Sequence, residues 1–132
     1  MWRTGFRTIT QDEYRHGWCA RYLREAKEDL KIAEGVGDTS LAMSMGLMAA
    51  KKAQTALYYA LGDPIWMEPI VRVKVETLTS PRMDPLLRCL VSIERSIRSL
   101  SALMKSMEEK EVLRRVKAII EVSEALISLY AS

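Results

Sequence analysis

The chain of 132 residues contains one histidine, His16, and its neighbours make it the first place to look for chemistry. Glu13 lies three residues before it and Cys19 three after, so on a helix the three share one side. A Glu-x-x-His step is half of the ligand set of a di-iron bundle, which needs a second copy on a facing helix. With a single histidine no second copy exists. A closed zinc site wants convergent thiolates and imidazoles. Cys19, Cys89 and His16 are the only such residues and are not set at metal spacing. A Cys–His nucleophile pair draws its members from separate elements, whereas Cys19 and His16 belong to one. Gly35-Val36-Gly37-Asp38 lies between helical stretches and lacks the lysine of a phosphate-binding loop. The sequence offers no catalytic residue, no metal set and no cofactor site.

Arginines carry a stronger signal. Arg88, Arg95 and Arg98 are interspersed with Ser92, Ser96 and Ser99, and Arg114, Arg115 and Lys117 follow. Guanidinium groups beside small hydroxyls hold phosphates. The same composition also makes an ordinary solvated helix surface. The net charge of +3 is uneven: residues 82–117 hold nine Lys or Arg against five acids, which gives one side a mild attraction for nucleotides or nucleic acid. Lys51 and Lys52 interrupt an otherwise apolar helix, so they either snorkel to the surface or line a cleft. Glu25, Glu28 and Asp29, with Lys27 and Lys31 among them, read as a self-paired exposed face. Trp66 and Met67 fall in a turn. Exposed, they form an interface; folded back, they plug the end of the bundle, and the plug is expected.

Helices must position all of these groups. Leu86, Leu90, Ile93, Ile97, Leu100, Met104 and Met107 advance in unbroken 4-3 steps, one narrow seam on one helix face. Cys19, Leu23, Ala26, Leu30 and Ala33 form a similar seam over about residues 11–34, opened by a Thr10–Glu13 capping box. Asp38 or Thr39 starts a second helix that runs to about Leu61. Its seam is made of small residues, Ala42, Gly46, Ala49, Ala53, Ala56 and Ala60, which let a neighbouring backbone come close. That face is the expected dock for the large seam of residues 86–107. Pro64 and Pro69 frame a short helix expected near 67–78, although β-branched Ile70–Val75 also suits a strand. Ser80-Pro81 or Asp84-Pro85 opens the next helix. Val112, Val116, Ile119, Ser123, Leu126 and Tyr130 mark the last one.

The predicted architecture is all-α: an antiparallel, up-and-down bundle of four to five helices in a single domain. Cys19 and Cys89 fall among apolar neighbours and read as buried, reduced thiols. The chain has no asparagine and two glutamines, a composition that proteins of hot organisms share. No secretory signal and no bilayer-length apolar run is visible, so the expectation is a soluble cytoplasmic protein without a membrane partner.

Ala26-x-x-Asp29-Leu30-x-x-Ala33, followed by Ala49-Ala50-x-x-Ala53-x-x-Ala56-Leu57, resembles the first two helices of the HEPN superfamily of small helical bundles, over residues 20–62 or so. That resemblance implies an antiparallel bundle, often dimeric, whose members pair with nucleotidyltransferases in toxin–antitoxin systems, bind nucleotides or cut RNA. The nucleolytic members carry Arg-x(4–6)-His. Here Arg7 lies nine residues before His16 and Arg15 adjoins it, so the resemblance implies a non-catalytic member. The expected function is a homodimeric, non-catalytic binding or assembly module. The alternative is a nucleotide-phosphate or nucleic-acid binder through Arg88, Arg95, Arg98, Arg114 and Arg115. An enzyme with a cleft at Lys51 and Lys52 ranks third.

Overall fold

A computed structural model describes residues 11–76 and 84–130. Within these residues the chain forms five α-helices and no strand: α1 Gln11–Gly35, α2 Thr39–Leu61, α3 Pro64–Val75, α4 Pro85–Leu103 and α5 Glu109–Tyr130. A 3-10 turn, Met104–Ser106, joins α4 to α5. The chain is an all-α bundle.

Aspartates start three of the helices by accepting from otherwise orphaned backbone N–H groups. Asp38 Oδ1 takes the Leu41 N–H at 3.0 Å, Asp63 Oδ1 the Ile65 N–H at 2.9 Å, and Asp84 Oδ1 the Leu86 N–H at 2.8 Å. Pro64 and Pro85 follow two of these caps, in the first turn, where the missing N–H costs nothing. The expected Thr10 cap and the Ser80-Pro81 start lie outside the described residues.

The expected third helix at 67–78 is displaced. α3 begins three residues earlier, because Asp63-Pro64 is already a complete start signal, and Pro69 sits inside it. The carbonyl deprived by Pro69 belongs to Ile65, on the outer side of the helix, where water can serve it. The β-branched run 70–75 is helical, since a lone strand has nothing to pair with.

α1 and α2 form an antiparallel hairpin packed on small residues: Ala26, Ala33, Ala42, Ala49, Ala53 and Ala56 are all fully buried. Gly46 near the start of α2 faces Leu113 and Val116 near the start of α5. Ala56 and Ala60 near its end cluster with Ile127 near the end of α5. α2 and α5 therefore run parallel, and α1, α2, α4 and α5 go up, down, up and down. α3 is a short strut lying against α2 and α4.

The seam on α4 behaves as its spacing predicts, with Leu90, Ile93, Ile97 and Leu100 buried and Leu86, Met104 and Met107 half-buried. Its dock needs correcting. At Gly46 the small face of α2 receives α5, not α4: a Cβ there would lie 2.8 Å from Leu113 Cδ2 and 3.4 Å from Val116 Cγ2. α5 thus leans across the bundle onto α2, while α4 and α5, although joined by a tight turn, touch little. Between them the bundle stays open. The same opening corrects the reading of Cys89. Cys19 is buried and Cys89 exposed, both unbridged, because Cys89 sits one position off the seam on the uncovered flank of α4.

Candidate anion-binding groove

The opening between α4 and α5 is a groove of about 640 Å³. Its floor is apolar, from Val91, Ile93 and Leu100 of α4 and Ala118, Ile119 and Val122 of α5. Its polar lining is Arg88, Ser92, Arg95, Ser96 and Ser99 from α4 and Arg115 from α5, together with Cys89. No lining residue is acidic. From Arg88 to Leu100 the α4 wall spans twelve steps of helix, about 18 Å at 1.5 Å per residue.

Three of the five arginines singled out from the sequence thus meet in one concavity, and all three serines join them. The other two do not. Arg98 Nε donates to Glu94 Oε2 at 2.7 Å, on the other flank of α4. Arg114 donates through Nε and Nη2 to Glu111 at 2.9 and 2.6 Å, outside the groove lining. Glu111 also accepts from Arg115 Nε at 3.0 Å. Hydrogen bonds from Arg114 first and Arg115 second hold the Glu111 carboxyl down to about 2. Arg95 also has its Nη2 donating to the Val75 carbonyl at the end of α3 at 3.3 Å. The contact ties α3 to α4.

Lys51 and Lys52, expected to share a cleft, point to different places, since neighbouring helix residues are about 100° apart around the axis. Lys52 Nζ lies 2.8 Å from Asp29 Oδ2 and 3.2 Å from Glu25 Oε1, both on α1. Asp29 first and Glu25 second push the ammonium's pKa up, against the cost of its partial burial. It is a clamp on the hairpin. Lys51 lines a smaller polar cleft of about 350 Å³ with Gln54, Thr55, Tyr58, Glu68, Arg72, Glu94 and Ile97. There buried Gln54 donates from Nε2 to the Tyr58 hydroxyl at 3.1 Å and to Glu94 Oε1 at 2.5 Å. Burial, with the Glu94 and Glu68 charges behind it, pushes the Tyr58 phenol far above its ordinary value. Gln54, Tyr58 and Glu94 are thus already bonded together and brace α2 against α4.

No family model, no curated protein and no solved structure matches this chain. The groove has to be read from its own chemistry. Its volume lies within the range of small-molecule sites, and its lining pairs an apolar floor with cations and hydroxyl donors. Such a lining accepts an anion that carries a flat or apolar body.

Trp66 and Met67 also part company. Met67 turns inward onto Gly62 and the core, its Cγ and Sδ 3.6 Å from where a Gly62 Cβ would lie, as the plug reading expects. Trp66 is exposed. One feature escaped the sequence reading. Tyr14, Trp18 and Tyr22, one turn apart on α1, gather around Tyr59 of α2, with ring centroids 6.5, 6.2 and 5.8 Å from it. Arg21 lies over the Trp18 ring at 5.2 Å. The i, i+4, i+8 spacing was visible; the partner on α2 was not.

Proposed function

We infer that this chain is a non-catalytic helical binding module whose ligand is a nucleotide-sized organic phosphate held in the α4–α5 groove. One observation carries the reading: the fold gathers Arg88, Arg95 and Arg115 with three serines around an apolar floor and brings no carboxylate into the lining. Guanidinium groups take phosphate oxygens in charge-assisted pairs, serine hydroxyls add donors, and Ile119 and Val122 offer a surface for a base or other flat group. The resemblance to HEPN bundles points the same way, because nucleotide or partner binding is what it implies once RNA cleavage is set aside. The homodimeric state and cytoplasmic setting that it suggests are part of this proposal.

Titration calorimetry of the purified chain with adenine and guanine nucleotides and with short single-stranded RNA tests it. Nucleotide binding should weaken as salt rises, and Arg88→Glu, Arg95→Glu or Arg115→Glu should each cost about ten- to a hundredfold in affinity. Arg114→Glu and Lys27→Glu should cost little. No nucleotide binding at low salt, or equal losses at Lys27 and Arg95, overturns the reading. Tight RNA binding with a steep salt slope and no nucleotide binding favours the extended-backbone alternative.

A further inference from the structure

The groove is cationic at both ends and apolar between them. Its walls α4 and α5 run antiparallel from the turn at Met104–Ser106, so distance from that turn gives each residue's level along the groove. Of the α4 lining residues Arg88 lies farthest from the turn. Of the α5 lining residues Arg115 lies nearest to it. The two arginines therefore stand at opposite ends and on opposite walls. Val122 marks the far end of the α5 wall, about 10.5 Å of helix from Arg115. Arg88 and Arg115 are thus separated along the groove by on the order of 10 Å.

Between these ends lie Ser92 and Ser96 of α4 and Ala118 and Ile119 of α5. Arg95 also lies between them and already gives one N–H to the Val75 carbonyl. Glu111 takes the Nε of Arg115, one donor of a guanidinium that has five. A phosphate can engage the others.

A nucleotide that carries all its phosphates on the 5′ carbon is charged at one end only. With its base on Ile119 it meets Arg88 or Arg115 and turns an uncharged end toward the other. An arginine covered in this way loses water and gains no partner, which costs affinity. A nucleoside phosphorylated on two sides of its ribose satisfies both.

We propose that the groove selects a nucleoside bisphosphate, with phosphates on two different ribose carbons, one against Arg88 and the other against Arg115, and with the nucleoside between them over Ile119. The proposal rests on the groove reading above and adds the layout of charge on the ligand. Ser92 and Ser96 are placed to donate to the ribose and to the nearer phosphate oxygens.

Titration calorimetry of the full chain with adenosine 3′,5′-bisphosphate, ADP and ATP tests it. The bisphosphate and ADP are isomers that differ only in where the second phosphate is attached. ATP brings comparable charge to one end. The bisphosphate should bind roughly tenfold more tightly than either. Charge reversal repels a phosphate anywhere in the groove, whereas a neutral glutamine removes only the contact. Arg88→Gln and Arg115→Gln should each cost the bisphosphate about tenfold. ADP should lose affinity at no more than one of the two. Both side chains are solvent-exposed, so the melting midpoint should stay at the parent's value. ADP or ATP binding as tightly as the bisphosphate overturns the proposal and leaves the groove reading standing, as do equal losses of ADP affinity in both glutamine variants. No binding of any of the three overturns both. Short RNA that binds more tightly than the bisphosphate, with affinity climbing with length, would assign both ends to a strand and overturn the proposal equally.

Discussion

The α1–α2 hairpin and the α4–α5 hairpin are built from similar lengths of helix and joined by comparably short turns, yet one is closed and the other open. In the first, alanines face alanines: Ala26 and Ala33 meet a helix carrying Ala42, Ala49, Ala53 and Ala56, and none is exposed. Its ionic groups satisfy one another, with Lys52 between Glu25 and Asp29 and Lys27 reaching across to Glu124 on α5. In the second, large residues on both helices aim at α2 rather than at each other, and the space between is lined by arginine and serine. The difference teaches where side-chain size was spent. Gly46 lets Leu113 approach so closely that α5 is held against α2, and the flank of α4 that α5 might have covered is left facing solvent.

Overpacking breaks the comparison most directly. Ala53→Leu, at a fully buried position, should destabilise the chain by about 1–3 kcal/mol in a urea melt. Ser96→Leu in the groove adds as much volume but has room for it, and should stay within about 0.5 kcal/mol of the parent. Equal losses at the two positions would mean that the groove is closed in solution.

The two cysteines report the same contrast chemically. Burial shields Cys19 and pushes its thiol pKa up, whereas Cys89 is exposed in the groove lining. A thiol reagent should therefore label one sulfur per native chain quickly. The other should react on the order of a hundredfold more slowly, waiting for the core to open. A nucleotide seated in the groove should slow the fast reaction and leave the slow one alone.

The sequence made the seams legible because each records a single helix in contact with a core: 3.6-residue periodicity is local information. The Asp-Pro starts at Asp63 and Asp84 were legible for the same reason, although Pro69 drew the expected start of α3 too far along the chain. What could not be read was pairing. Nothing local says that Gly46 meets Leu113 instead of the α4 seam, and the opening between α4 and α5 follows from that pairing. Cys89 was placed inside because its neighbours are apolar. Arg98 and Arg114 were grouped with Arg88, Arg95 and Arg115 because spacing along a helix does not tell which flank is covered. The candidate groove is thus legible as composition and illegible as a place.

The ionic clamp on the closed side sets a third, smaller effect. Lys52→Met should cost about 1 kcal/mol or less, since all three groups keep some solvent. Its pH dependence has a definite sign. Arg21 first and Lys52 second hold the Glu25 carboxyl below its ordinary 4.5. That contribution is present above pH 4.5 and lost as the pH falls through the depressed value. The Lys52 ammonium, raised above its ordinary 10.5, contributes below that value and loses its effect as the pH rises through the raised one. Melting midpoints of Lys52→Met should therefore change less than the parent's on acidification below 4.5, and the two proteins should converge at strongly alkaline pH.

Glu111 offers the finest adjustment, because it is the carboxylate that competes for a groove arginine. Its side chain accepts from both Arg114 and Arg115, and these two hold it at about 2, so it stays charged throughout the neutral and mildly acid range. Any phosphate that engages Arg115 has to share the guanidinium with it. Glu111→Gln keeps a hydrogen-bonding oxygen but removes the charge, which leaves Arg115 more strongly cationic toward the groove. The pair is solvent-exposed, so the melting midpoint should scarcely move. Nucleotide affinity should instead rise by a few-fold, the size of an exposed charge pair expressed as a binding constant. The gain should disappear in the double variant Glu111→Gln with Arg115→Gln, since a competitor matters only while the contested group is present. An equal gain in that double variant would show that Glu111 acts through the general charge of α5, and that Arg115 does not itself touch the ligand.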